Sequence, residues 1–167
     1  MGIYKRVLKL TMIVFALLSL AACSSSGYDV QKFPIGEKGS PLKKVIVNNK
    51  EYELKNIYSD EPQSLDIQVE LKETDSSYIN IILPKLIPGY SWHIDEKFYW
   101  AVKEYKIEEI QNDKSKNYEG ASNELQIFTI DTSRIEGFSI NFRWININEN
   151  EKTFNERKVS YTVNIKW

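Results

Sequence analysis

The strongest constraint in this chain is an apolar/polar alternation of period two that recurs in three separate runs. Leu65, Ile67, Val69 and Leu71 alternate with Asp66, Gln68, Glu70 and Lys72. Phe138, Ile140, Phe142 and Trp144 alternate with Ser139, Asn141 and Arg143. Val159, Tyr161, Val163, Ile165 and Trp167 alternate with Ser160, Thr162, Asn164 and Lys166. Successive side chains of an extended strand point to opposite faces, so each run predicts a strand with one buried face. Less regular strands are predicted at Val45–Val47, Glu51–Leu54, Tyr78–Leu83, Phe98–Ile107 and Leu125–Ile130, all rich in β-branched and aromatic residues. Only Val102–Ile110 also fits a helical spacing. Seven or eight strands at this spacing predict an all-β sandwich, and no internal repeat is visible.

The N-terminus follows a different rule. Lys5, Arg6 and Lys9 precede a 13-residue run from Leu10 to Ala22 that is apolar except at Thr11 and Ser19. Such a run is too short for a hydrocarbon layer of about 30 Å but suits the core of an export signal. It ends in Leu20-Ala21-Ala22-Cys23, which resembles a bacterial lipoprotein lipobox. The resemblance implies removal of residues 1–22 and a diacylglyceryl group on the Cys23 thiol. It also implies further acylation, commonly palmitate, on the new amine. Two or three acyl chains, at about 0.8 kcal/mol per buried CH₂, hold a protein on a membrane where one chain is marginal. The expected location is the cell envelope outside the cytoplasm. Ser24 favours the outer membrane if the envelope has two membranes.

From Ser24 to Pro41 the chain is Ser, Gly, Pro and charge without apolar periodicity, which reads as a tether. The expected organisation is therefore a signal over 1–22, a lipidated tether over 23–41 and one β domain over 42–167. A flexible tether of this length spans roughly 20–25 Å. Within the domain only Gly89, Gly120 and Gly137 remain, each expected at a turn.

Composition narrows the chemistry. The whole chain has one cysteine and one histidine. That rules out a disulfide framework, a Cys/His zinc site and most nucleophile–histidine catalysis. Without the signal, 19 basic side chains face 23 acidic ones, a net charge near −4 with no basic excess for nucleic acid. No cofactor or metal is expected, no enzyme activity is assigned, and a monomer is expected. His93 follows Trp92 and reads as a passive strand residue. The acids at Asp60-Glu61 and at Glu104, Glu108 and Glu109 read as solvated faces. Carboxylate pairs meet in space rather than in sequence, so a hydrolase of unsuspected type stays open on the residues alone.

Three loop regions stand out between the predicted strands. The first is Lys85-Leu86-Ile87-Pro88-Gly89-Tyr90-Ser91-Trp92, whose Pro88-Gly89 suits the centre of a type II turn. The second is Glu119-Gly120-Ala121-Ser122-Asn123. The third starts at Arg143-Trp144 and runs through the polar stretch Asn146–Asn155. In this order they resemble the three binding loops of the chagasin-like family of cysteine protease inhibitors. Gly89-Tyr90-Ser91-Trp92 fits the second half of that family's Asn-Pro-Thr-Thr-Gly-(Tyr/Phe)-x-Trp loop. Gly120-Ala121 partly fits its Gly-x-Gly-Gly loop, and Arg143-Trp144 fits its Arg-Pro-Trp element without the proline. Lys85-Leu86-Ile87-Pro88 stands in place of Asn-Pro-Thr-Thr, and Ser122 and Asn123 replace the later glycines.

The resemblance covers roughly Ser64 to Trp167 and implies an immunoglobulin-like sandwich. It also implies a wedge of loops that plugs the cleft of a papain-like protease reversibly and without covalent chemistry. Carried over by position, the contact residues are Leu86, Ile87, Pro88, Gly89, Tyr90, Trp92, Gly120, Ala121, Ser122, Arg143 and Trp144. Read from the residues alone, Trp92 and Trp144 are either core anchors or partner-facing indoles, and Arg143 faces solvent. A non-inhibitory envelope binding module on the same sandwich is the alternative.

Overall fold

The computed structural model describes residues 28–37, 39–70, 77–111, 122–134, 139–148 and 158–167. The signal segment, Cys23, Gly120, Ala121 and Gly137 lie outside them. Nine strands occur among the described residues: β1 (Lys44–Val47), β2 (Lys50–Glu53), β3 (Gln63–Gln68), β4 (Tyr78–Pro84), β5 (Tyr90–Ile94), β6 (Val102–Glu109), β7 (Glu124–Asp131), β8 (Ser139–Asn146) and β9 (Val159–Lys166). They form a five-stranded sheet in the order β2-β1-β4-β7-β6 and a four-stranded sheet in the order β3-β9-β8-β5. The two sheets pack as an all-β sandwich, as the alternation predicts.

Every pairing is antiparallel except β3 with β9, which run parallel with Leu65 opposite Val163 and Ile67 opposite Ile165. Together with the cross-sheet contacts of Gln126 with Trp92 and of Phe128 with Phe142, these pairings make the successive described strands alternate in direction. Every second connection, 54–62, 85–89, 110–123 and 147–158, leaves from the same end of the sandwich. The opposite end carries the β1–β2 hairpin. There Asn48 and Asn49 take φ of 47° and 65°, as a two-residue turn matched to strand twist requires.

The core between the sheets is built from the inward sets of the predicted runs. Ile79, Ile81, Leu83, Phe128, Ile130, Ile140, Phe142, Trp144, Tyr161, Val163 and Ile165 are all buried there. Phe128 and Phe142 tie it across the gap, edge to face at 4.9 Å, and within the four-stranded sheet Trp92 packs on Trp144 at 5.0 Å.

One buried polar side chain joins the sheets. Gln126, on β7 and 1 % exposed, faces inward among these apolar groups. Its Oε1 accepts from the Trp92 backbone N–H at 2.8 Å and from Ser91 Oγ at 3.1 Å. Its Nε2 donates to the Trp92 carbonyl at 3.0 Å and to Tyr105 Oη at 3.1 Å. Both lone pairs and both N–H groups of the amide are thus used. β5 is an edge strand with β8 on one side only. On the other side the Gln126 amide substitutes for a neighbouring strand at Trp92, which satisfies backbone groups that are costly to bury unpaired.

Three sequence expectations change. β5 was expected as part of a loop; its five residues are a strand with Tyr90, Trp92 and Ile94 inward. The expected strand Phe98–Ile107 divides into a 3-10 turn over Glu96–Ala101 and β6 from Val102, and the helix-compatible stretch Val102–Ile110 is mostly strand. The third change concerns the stretch read as tether. Its residues Val30–Lys32 form a 3-10 turn capped by Asp29, and Val30 and Phe33 are 6 % and 2 % exposed. They cover the outer face of the five-stranded sheet, packing with Ile46, Ile82, Ile110, Leu125 and Ile127. That face is apolar, so the central strands carry apolar residues on both sides and need this cover. Gln31 is tied on both sides of the β6 exit. Its Nε2 donates to the Glu109 carbonyl at 3.3 Å, and its Oε1 accepts from Gln111 N–H at 2.9 Å.

Two stability changes follow from this packing. Phe33→Ala lowers the unfolding free energy in urea by about 3 kcal/mol, the cost of a buried Phe truncation, whereas a residue in a free tether would cost nothing. Gln126→Met keeps the volume but strands the Trp92 N–H and C=O, so it costs about 2–5 kcal/mol in the same measurement; an unchanged urea midpoint would refute the bridging role.

Candidate functional site

The site is the loop-bearing end of the sandwich, and backbone hydrogen bonds stitch its loops together. At the end of β4, Lys85 N–H donates to the Glu124 carbonyl at 2.9 Å, and the Lys85 ammonium pairs with the Glu124 carboxylate. On the other side of β7, Ile110 N–H donates to the Asn123 carbonyl at 3.0 Å. The described ends of the first and second loops, Lys85 and Ser122–Glu124, are thereby neighbours. Within the four-stranded sheet, Ile147 N–H extends the β5–β8 ladder by donating to the Gly89 carbonyl at 2.7 Å, which joins the first loop to the third.

The first loop is a tight turn. Tyr90 N–H donates to the Ile87 carbonyl at 3.2 Å, and Gly89 takes φ of +79° after Pro88, the geometry expected of a type II turn. Pro88 is exposed at the tip, while Leu86, Ile87 and Tyr90 are half-buried and rest on the core. The base is held by Trp92, whose Nε1 donates to the Pro84 carbonyl at 2.9 Å. Beside Tyr90, its ladder partner, the third loop begins with Asn146, whose Oδ1 accepts from Asn148 N–H at 3.0 Å. A side-chain-capped turn of this kind is stiff. Preorganised loops lose little entropy on docking.

Not every expected contact residue is at this end. Trp92 and Trp144 are each 1 % exposed, so both indoles are core anchors and are not presented to a partner. Trp144 instead supports Tyr90, which stacks on it at 5.6 Å. Arg143 is three residues from the end of β8, about 10 Å down the strand. It sits opposite His93 on the outer face of the four-stranded sheet and reaches Asp95 at 3.8 Å. Ser122 belongs to the loop cluster, with its Oγ accepting from Glu124 N–H at 3.2 Å. Gly120 and Ala121 lie outside the described residues.

Sequence reading missed a fourth loop at the same end, residues 54–62. A cleft of about 230 Å³ separates it from the first and third loops, lined by Tyr58, Asp60, Ile87, Tyr90, Asn146 and Lys158 among others. A second, more apolar groove of about 380 Å³ lies on the flank between β5 and β6, with Tyr99 and Tyr105 at its mouth and Phe128 behind them. No family model, curated protein or solved structure matches the chain.

The turn geometry gives a test of what Gly89 is for. A Cβ at Gly89 would lie 2.3 Å from Asn148 Nδ2, but that amide is the outer end of an exposed side chain and can swing away. The positive φ cannot be relieved in that way. Gly89→Ala is therefore expected to cost about 1 kcal/mol from backbone strain, and most of that cost should persist in the double variant with Asn148→Ala. If the second substitution abolishes the penalty, the contact rather than the backbone requires glycine.

Proposed function

We propose that this chain is an envelope lipoprotein, anchored through lipid on Cys23, whose β domain reversibly inhibits papain-like cysteine proteases. Inhibition would be steric. The turn at Leu86–Gly89, the second loop through Gly120, Ala121 and Ser122, and the start of the third loop would together fill the catalytic cleft. The protein would supply no catalytic chemistry of its own, and it needs no cofactor.

The observation that carries the reading is that the described parts of three loops, 85–89, 122–123 and 146–148, lie at one end of the sandwich. A wedge requires that arrangement, and loops at opposite ends could not enter one cleft. The likeness of Gly89-Tyr90-Ser91-Trp92 to the first chagasin-like loop adds to it, as does the stiffness of the Pro88-Gly89 turn. With Trp92 and Trp144 in the core, contact falls on Leu86, Ile87, Pro88 and Ile147, together with main-chain groups of the turn. Ile147 is 36 % exposed, an apolar residue at the tip. Arg143 then acts on the sheet face with Asp95 rather than in the cleft.

The second reading, a non-inhibitory envelope binding module, is favoured by one specific observation. The burial of both tryptophans leaves the wedge without the aromatic flanks that the resemblance implies. Titration of papain and related proteases with soluble Ser24–Trp167 separates the two. Inhibition at or below micromolar concentration is expected, weakened at least tenfold when Leu86–Pro88 is replaced by Ser-Ser-Pro and unaffected by changes at Ser24–Ser26. No inhibition of any such protease would leave the binding-module reading.

A further inference from the structure

The connection 54–62 has the features of a binding loop, although its sequence carries no motif. Its first half is pinned, with Leu54 and Ile57 buried at 1 % and 2 % exposure. Asn56 takes φ of 56°, and Ser59 N–H closes the turn on the Asn56 carbonyl at 2.8 Å. Lys158, just before β9, donates to the Asp60 carbonyl at 3.2 Å and ties the loop to the four-stranded sheet. Between these fixed points Tyr58 stands out, 51 % exposed.

The Tyr58 ring is held in place. The Lys43 ammonium lies 4.1 Å from the ring centroid and fixes its orientation from one side. Partial burial pushes the phenol above its ordinary range. A rigid aromatic body with a polar tip gives large contact area at little entropic cost, which is why Tyr recurs among residues that dominate protein interfaces.

We infer that loop 54–62 is a fourth element of the docking end and that Tyr58 is its anchor on the protein partner. The inference rests on the inhibitory reading and extends it. While three loops enter the partner's cleft, the fourth lies along the cleft's rim. The space between it and the first loop receives a polar side chain from that rim. That space is lined by Tyr58, Tyr90 and Ile87 together with the polar residues Asp60, Asn146, Lys158 and Ser160. Such a lining offers both donors and acceptors beside aromatic faces, which suits a hydrogen-bonding side chain better than an aliphatic one. Two observations tie the loop to this face and not to a separate site. Strand parity puts it at the same end, and its cleft shares Ile87, Tyr90 and Asn146 with the first and third loops.

The test compares inhibition constants of the full chain in detergent against papain for wild type, Tyr58→Ala, Tyr58→Phe and Tyr99→Ala. Tyr99 is an exposed tyrosine on the flank and serves as the control. Tyr58→Ala should weaken inhibition at least tenfold, mostly through faster dissociation, with the urea midpoint unchanged. Tyr58→Phe should recover part of the loss, and Tyr99→Ala should behave as wild type. If wild type inhibits and Tyr58→Ala inhibits equally well, the fourth loop is not in the interface and the three-loop reading stands. If wild type does not inhibit, both readings fall together.

Discussion

The sandwich depends on the amide of Gln126. Opposed apolar faces attract without direction, so burial alone would let two small sheets slide and rotate against each other. The pairing of Gln126 with both backbone groups of Trp92 supplies the missing register. It also closes the exposed side of β5, an edge from which another chain could otherwise continue the sheet. Trp92 then passes the constraint onward. Its indole N–H holds the Pro84 carbonyl at the last residue of β4, where the first loop departs. The loop that shows the closest likeness to a known binding element is therefore aimed by a hydrogen bond made in the core. The tryptophan expected at the interface instead acts behind it, by setting the angle of the turn.

How much of this was legible in the sequence follows from the range of each interaction. The alternating runs at β3, β8 and β9 are local signals and appear as strands close to where the pattern puts them. The Pro88-Gly89 turn is local too. β5 has the same alternation, but with only three inward residues it is hidden inside a loop motif. Gln126 lies in the apolar run Leu125–Ile130 and shows nothing of its purpose, since its partner is 34 residues away. The role of Val30 and Phe33 was illegible for another reason. They sit in a 3-10 turn and irregular chain, where no period exists to reveal which side is buried.

The end of the sandwich that carries the candidate site follows from a rule of direction rather than from any motif. With nine strands alternating strictly, four connections must emerge together, and the residue types in them decide what the end can bind. Three drew attention by likeness to known loops. The fourth is as well anchored as the others, yet its Tyr58 is one of several tyrosines in the sequence and only its placement distinguishes it. The site as a whole is thus a property of topology, with its stiffness contributed locally by Gly89, Asn56 and Asn146.

The packing of the N-terminal segment alters the geometry of anchorage. With lipid on Cys23 as proposed, only residues 24–27 separate the anchored residue from Tyr28, where the described domain begins. Whatever path they take, five peptide steps reach no more than about 18 Å. The result is a mooring rather than a leash. Under that proposal, a domain held so closely could not sample the periphery as a free polymer end would. It would meet only what comes to the surface of its own membrane, and the bilayer would become one wall of the space in which a partner must fit.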